Sequence, residues 1–282
     1  MQILSNGIVL FENCFDFSEQ IISYYEDLKL LSLAEHYSLV KDESGSYIYG
    51  INKSGHRIPF EDIDKTCVRI SNSTDKKHPE SLSHLEEITY NLLIKYIEIY
   101  PQALPCLWWK TKGHGLLYSA GSSLGLHSDN DINYMPGAEP DYQVGIRHVL
   151  ACICYFNTSG VDYDGGEIFF PYHNIKLKPK AGDILFFPAN FLAAHEVAPI
   201  NSGTRYSYLE YYGHGSSDPN RGLNIVEDSQ YIKSGQVWLR NLPNDYKKYI
   251  ISKYGESNLG ELLRPIRNNY ASNNIKEELN EV

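Results

Sequence analysis

The chain is short of several things, and each shortage excludes a class of protein. No stretch approaches the roughly 18 apolar residues that a membrane-spanning helix needs. Residues 1–11 carry no cationic start followed by an apolar run, so no export signal is expected. Positive charge is scarce: 25 Lys and Arg against 35 Asp and Glu give a formal net charge of −10. Non-specific nucleic-acid affinity comes from clustered Lys and Arg, so nucleic acid is not an expected partner. The five cysteines are odd in number and lack the dense spacing of a secreted disulfide scaffold, which fits a reducing cytoplasm. Charged residues, at 21%, are outweighed twofold by the 42% that are hydrophobic. That balance argues against disorder, and 282 residues can bury a sizeable core in a single domain.

Tyrosine, by contrast, is plentiful at 23 residues. Buried tyrosines normally have hydrogen-bond partners for their hydroxyls, so several such pairs are expected. Apolar residues at Ile21, Ile22, Tyr25, Leu28, Leu31 and Leu33 recur at helical spacing and predict a helix over 17–37. The next forty residues are polar and irregular, with 47–49 and 68–70 as short edge strands. A second helix is expected over 81–99. From Gly113 to Gly213 the texture changes to short β-branched and aromatic runs between Gly, Pro, Asn and Asp. Strands are expected at 116–120, 149–156, 167–171, 175–177, 184–187, 193–198 and 205–212, the density of a jelly roll. A last helix is expected over 245–254, then a frayed charged tail over 268–282. The expected organisation is one domain, 1–282. Residues 1–112 are a mainly helical support, 113–213 an all-β jelly-roll core and 214–282 a C-terminal extension.

Two His and one carboxylate on one face hold an iron(II) ion while leaving positions open for other ligands. The sequence must then offer a close His/carboxylate pair and a distant His. With 10 His and 35 acids, about one His-x-acid match is expected by chance; there are three. His78/Glu80 and His84/Glu86 fall at or inside the second helix, where residues two apart point to different faces. His127/Asp129 follows a strand, and extended backbone sets residues i and i+2 on the same side. His195 is the best-placed distal partner. Arg205 follows ten residues later, in a run of Tyr and Leu where a guanidinium needs an anion.

In order, His127, Asp129, His195 and Arg205 resemble the Fe(II)/2-oxoglutarate dioxygenase superfamily, and within it the prolyl-hydroxylase-like branch. Tyr118 stands where that family often has a tyrosine reaching 2-oxoglutarate. The strand ending Tyr155-Phe156-Asn157 resembles the family's Tyr, apolar residue, Asn, and the turns at 164–167 and 179–183 resemble two family turns. The resemblance implies a double-stranded β-helix with His127, Asp129 and His195 on Fe(II). It further implies 2-oxoglutarate held by Arg205, Tyr155 and Tyr118, O2 as second co-substrate, and hydroxylation of an unactivated C–H. A carboxylate at 129 favours hydroxylation over halogenation, since related halogenases have a small residue there. The branch implies an amino-acid substrate, free or within a peptide.

Other readings stay open. The same iron site permits desaturation, ring closure or demethylation of another small metabolite, and a metal-clamped jelly roll could serve as a binding module. Tyr118 and Tyr155 could be core tyrosines, and Arg147 is better read as a structural ion pair than as a substrate contact. Cys152 and Cys154 share a strand face but lack a second pair elsewhere, so they read as free buried thiols. Substrate loops such as 130–143 carry no readable code. The acidic balance favours a neutral or cationic substrate.

Overall fold

The computed structural model describes residues 1–64, 67–71, 79–111, 113–129, 146–215 and 237–255. His78, the loop 130–143, the side chain of Arg147 and the tail 268–282 lie outside the described residues. The chain opens with a hairpin, β1 (Gln2–Ser5) and β2 (Ile8–Phe11), followed by helix α1 (Ser18–His36). Strands β3 (Tyr37–Lys41), β4 (Tyr47–Asn52) and β5 (Arg57–Pro59) form a small sheet of their own, before the short α2 (Phe60–Asp64) and β6 (Cys67–Ser71). Helix α3 (Glu80–Ile99) leads into β7 (Trp109–Lys110).

The core then winds between two sheets. Its strands are β8 (His114–Ser119), β9 (Leu124–His127), β10 (Ile146–Tyr155), β11 (Asp164–Gly165), β12 (Ile168–Phe170), β13 (Ile175–Leu177), β14 (Ile184–Pro188), β15 (His195–Val197), β16 (Ile200–Ser202) and β17 (Thr204–Gly215). After it come β18 (Val237–Trp238) and α4 (Leu242–Tyr254). The larger sheet runs β1-β2-β14-β10-β17, and the long β17 pairs along its other edge with β8 and then β7. The smaller sheet runs β13-β12-β15-β9. Strands β8, β10, β14 and β17 of one sheet thus face β9, β12, β13 and β15 of the other, which is a double-stranded β-helix.

The larger sheet is buried on both faces, which is why β10 and β14 read as continuous apolar runs rather than alternating ones. Ala151, Ile153, Tyr155, Leu185 and Phe187 point between the sheets, against Ile168 and Phe170. Cys152, Cys154, Ile184 and Phe186 point the other way, into a second core formed with Ile21 and Tyr25 of α1 and Leu85 and Leu93 of α3. Both cysteines are free and buried, as expected. The helices do buttress the sheet from outside.

Three expectations need correction. Residues 1–112 do more than support the core: β2 pairs with β14, so the N-terminal hairpin extends the larger sheet itself. The run at 47–49 belongs to β4, the middle strand of the small sheet, rather than an edge. The run at 193–198 is strand only from His195 to Val197, because a 3-10 turn at Phe191–Ala193, capped by the Asn190 side chain, uses its first residue. Several strands were not foreseen, among them β1, β2, β3, β7 and β9. In β9, Leu124 and Leu126 point to solvent, and Gly125 offers no side chain to reveal the inner face.

Candidate metal centre

Strands β9 and β15 pair so that His127 and His195 are direct partners in the register. Their rings lie 4.4 Å apart, centroid to centroid. Asp129, two residues past His127, brings Oδ1 to 3.4 Å from His127 Nε2 and Oδ2 to 3.9 Å from His195 Nε2. One ligand atom from each of the three residues lies within 4.8 Å of the others. The expected trio therefore converges. Of the other two His-x-acid pairs, His78/Glu80 cannot be compared because His78 lies outside the described residues, and in His84/Glu86 the side chains diverge, His84 turning toward Glu87 and Glu86 toward Lys110.

The hydrogen bonds orient both imidazoles. His127 Nδ1 lies 2.8 Å from the Gly125 carbonyl, and His195 Nδ1 3.2 Å from the Ala193 carbonyl. A carbonyl only accepts, so each Nδ1 carries the proton and each Nε2 offers its lone pair to the centre. The Asp129 carboxylate beside Nε2 raises the pKa of His127, whereas burial lowers that of His195, which is wedged against Phe170 and Phe187. Asp129 is 5% exposed, and its Oδ2 has no hydrogen-bond partner. Two lone pairs and a buried, unpartnered carboxylate oxygen converge on one point, the donor set of a cation site. Two nitrogens and an oxygen on one side suit a ferrous ion, and the residues fit it.

The groups that hold Asp129 were not foreseen. Tyr211 OH donates to Asp129 Oδ1 at 3.3 Å, and His148 stacks on the Tyr211 ring at 4.0 Å and 9°. His148 Nδ1 also reaches the Asp129 carbonyl at 3.0 Å. His148 reaches this wall because the register between β10 and β17 shifts at Val149: His148 opposes Gly213, but Leu150 opposes Tyr212. Such a bulge re-aims one side chain, and nothing in residues 146–150 announces it.

Along the same wall, Arg205 sits directly opposite Tyr118 of β8. It is 1% exposed, makes one long hydrogen bond to the Gly166 carbonyl at 3.4 Å, and leaves Nε without a partner. Its guanidinium lies 5.3 Å from the Tyr118 ring and 5.1 Å from the Tyr155 ring. Several buried tyrosines find hydrogen-bond partners, as expected, Tyr96, Tyr208 and Tyr212 among them, whereas the hydroxyls of Tyr25, Tyr155, Tyr163 and Tyr246 are unpartnered. Burial raises the pKa of Tyr155, and that of Tyr163 to about 12, each against the pull of the Arg205 charge. A cation and two hydroxyls buried without an acceptor form a pocket suited to an anion. The turn below it depends on glycine: a side chain at Gly165 (φ +82°) would lie 2.1 Å from the Pro199 carbonyl oxygen. Asn157 closes the end of β10 onto β17, accepting from the Tyr206 N–H and donating to the Thr204 carbonyl.

Residues 113–213 match the model of the 2OG-Fe(II) oxygenase superfamily. A PKHD-type hydroxylase of Nitrobacter winogradskyi is 33% identical over 144 residues, 49% of this chain and 59% of the relative. A PKHD-type hydroxylase of Saccharophagus degradans is 32% identical over 109 residues, 38% of this chain and 45% of the relative. The chain thus spans about half the length of these relatives. Among solved structures, a viral collagen prolyl hydroxylase from Paramecium Bursaria Chlorella virus-1 in complex with 2OG aligns with TM-score 0.48 and 12% identity, covering 73% of this chain and 94% of the other. A Trichoplax adhaerens prolyl hydroxylase, in complex with a hypoxia inducible factor peptide fragment, aligns with TM-score 0.49 and 17% identity, covering 74% and 84%.

Proposed function

From a core whose residues 113–213 match the model of the 2OG-Fe(II) oxygenase superfamily, we propose that this protein is a 2-oxoglutarate-dependent dioxygenase that hydroxylates an unactivated C–H of an amino acid, free or peptidyl. His127, Asp129 and His195 are the iron ligands; Arg205 and Tyr155, with Tyr118, hold the co-substrate. The whole chain, 1–282, acts as one oxygenase domain. The observation that carries the reading is the pairing on one wall of a converging His-Asp-His triad with a buried guanidinium whose Nε has no protein partner.

When bound, the iron couples decarboxylation of 2-oxoglutarate by O2 to oxidation of a substrate C–H, giving succinate and CO2. The chain's own part is placement. Arg205 offers the far carboxylate of 2-oxoglutarate a forked donor in a dry pocket, where charge-assisted hydrogen bonds are strong. The Tyr155 hydroxyl has no other acceptor to serve. Carbonyl-fixed imidazoles and the Tyr211 hydroxyl hold the three ligands in place before the metal arrives.

Anaerobic titration of the protein with Fe(II) and 2-oxoglutarate should give a weak visible charge-transfer band, and air should then release succinate. His127→Ala should lose both while keeping its circular dichroism spectrum. A wild-type protein with neither band nor succinate would return the jelly roll to the class of binding modules. Product mass separates hydroxylation, a gain of one oxygen, from desaturation, a loss of two hydrogens.

A further inference from the structure

The wall that carries Arg205 carries a second guanidinium in a different setting. Arg69 of β6 stands opposite Leu116 of β8. Residues directly opposite in an antiparallel pair lie on one face. Arg69 therefore shares the inner face with Leu116 and Tyr118, and through Tyr118 with Arg205. Arg205 is buried, whereas Arg69 is exposed to solvent.

The partner of Arg69 is unusual. Its Nη2 lies 3.2 Å from Nδ1 of the buried His114. A guanidinium has donors only, so that Nδ1 must be a bare lone pair and the imidazole neutral. Burial and the Arg69 charge both hold His114 in that form, with a pKa lowered to about 3. The His114 ring lies 6.5 Å from that of Tyr211, whose hydroxyl reaches Asp129. Arg69, His114, Tyr211 and Asp129 thus form a continuous file from solvent to the triad. Among the described residues Arg69 has no carboxylate partner, in a chain with ten more acids than bases. A neutral imidazole aims the guanidinium without cancelling its charge.

We infer that Arg69 is the substrate's anion subsite, and that the substrate presents a carboxylate to it at the solvent end of this file of side chains. The inference rests on the oxygenase reading above and narrows it. It also reverses the expectation, drawn from overall charge, of a neutral or cationic substrate. A cation in direct contact acts at a few ångström, while charges spread over the surface are screened beyond about 8–10 Å.

The carboxylate can belong to a free amino acid, or to an acidic side chain or C-terminus of a peptide. The test measures substrate-stimulated succinate release from the iron-loaded protein with three sets of compounds: free L-amino acids, their α-amides, and short peptides with and without an acidic residue. A free amino acid as source predicts that the best acid exceeds its own amide by about 10- to 100-fold in kcat/KM, the worth of a hydrogen bond to a charged group. A peptide as source predicts the same gap between peptides with and without the acid. Arg69→Gln should close the gap by raising KM for the acid alone, and Arg69→Lys should keep part of it. Neutral compounds that stimulate as well as acids, or a gap that survives Arg69→Gln, would overturn the subsite while leaving the oxygenase intact. A wild-type protein that releases no succinate under any condition would overturn both.

Discussion

A guanidinium cannot shed its proton at accessible pH, so Arg205, 1% exposed and with no acid paired to it among the described residues, is held at a cost in the ligand-free protein. That cost should be measurable from both sides. Arg205→Met should stabilise the ligand-free protein by about 1 kcal/mol or more, read as a shift in denaturant midpoint. The same variant should raise the 2-oxoglutarate requirement by about 10- to 100-fold. A requirement left unchanged would remove Arg205 from the co-substrate's carboxylate. Tyr211 is a positioning residue, since it holds the carboxylate of Asp129 rather than touching metal or co-substrate itself. Tyr211→Phe keeps the ring that stacks on His148 and loses only the donor. It should weaken binding of Mn(II), used as a redox-silent probe, by about 10-fold, with the melting temperature of the metal-free protein little changed.

At the scale of elements, α1 can lie close to the larger sheet only because β8 leaves it room. A Cβ at Gly115 would sit 2.7 Å from Cζ of Tyr25, whose ring is fully buried and cannot swing away. Gly115→Ala should therefore cost about 1–3 kcal/mol by overpacking, measured as a lowered midpoint in urea. The opposite half of the same face shows how polar groups survive there. Glu210 of β17, fully buried, accepts from Lys110 at 3.0 Å and from Tyr208 and Tyr212. The lysine, itself nearly buried, keeps its charge because Glu210 and Glu86 outweigh its desolvation and raise its pKa. The pairing of β9 with β15 is the element that matters most for chemistry. It sets two ligands from opposite ends of a 68-residue interval side by side, and any slip of one residue would turn an imidazole to solvent.

For the whole molecule, a triad and a buried guanidinium on one wall mean that metal and dicarboxylate should stabilise the fold together. Mn(II) with 2-oxoglutarate, each at a free concentration 100 times its Kd, should each add about 2.7 kcal/mol. Together they should raise the melting temperature by several degrees, and 2-oxoglutarate without metal should give the smaller part. The sequence by itself determined much of this. Strands with a continuous apolar run, the two long helices and the order His127, Asp129, His195, Arg205 were legible, because period, composition and spacing are local properties of the chain. Other features were decided only in three dimensions. The hairpin at residues 2–11 is apolar on any reading, but its place beside β14 depends on which sheet edge stood open. His148 enters the wall through a bulge that one strand acquires only against its partner. Arg69 stands in line with Arg205 because β6 and β17 flank β8 in register, although 136 residues separate the two arginines in the chain. Register between distant strands is a tertiary quantity, and the chemistry of this wall depends on it.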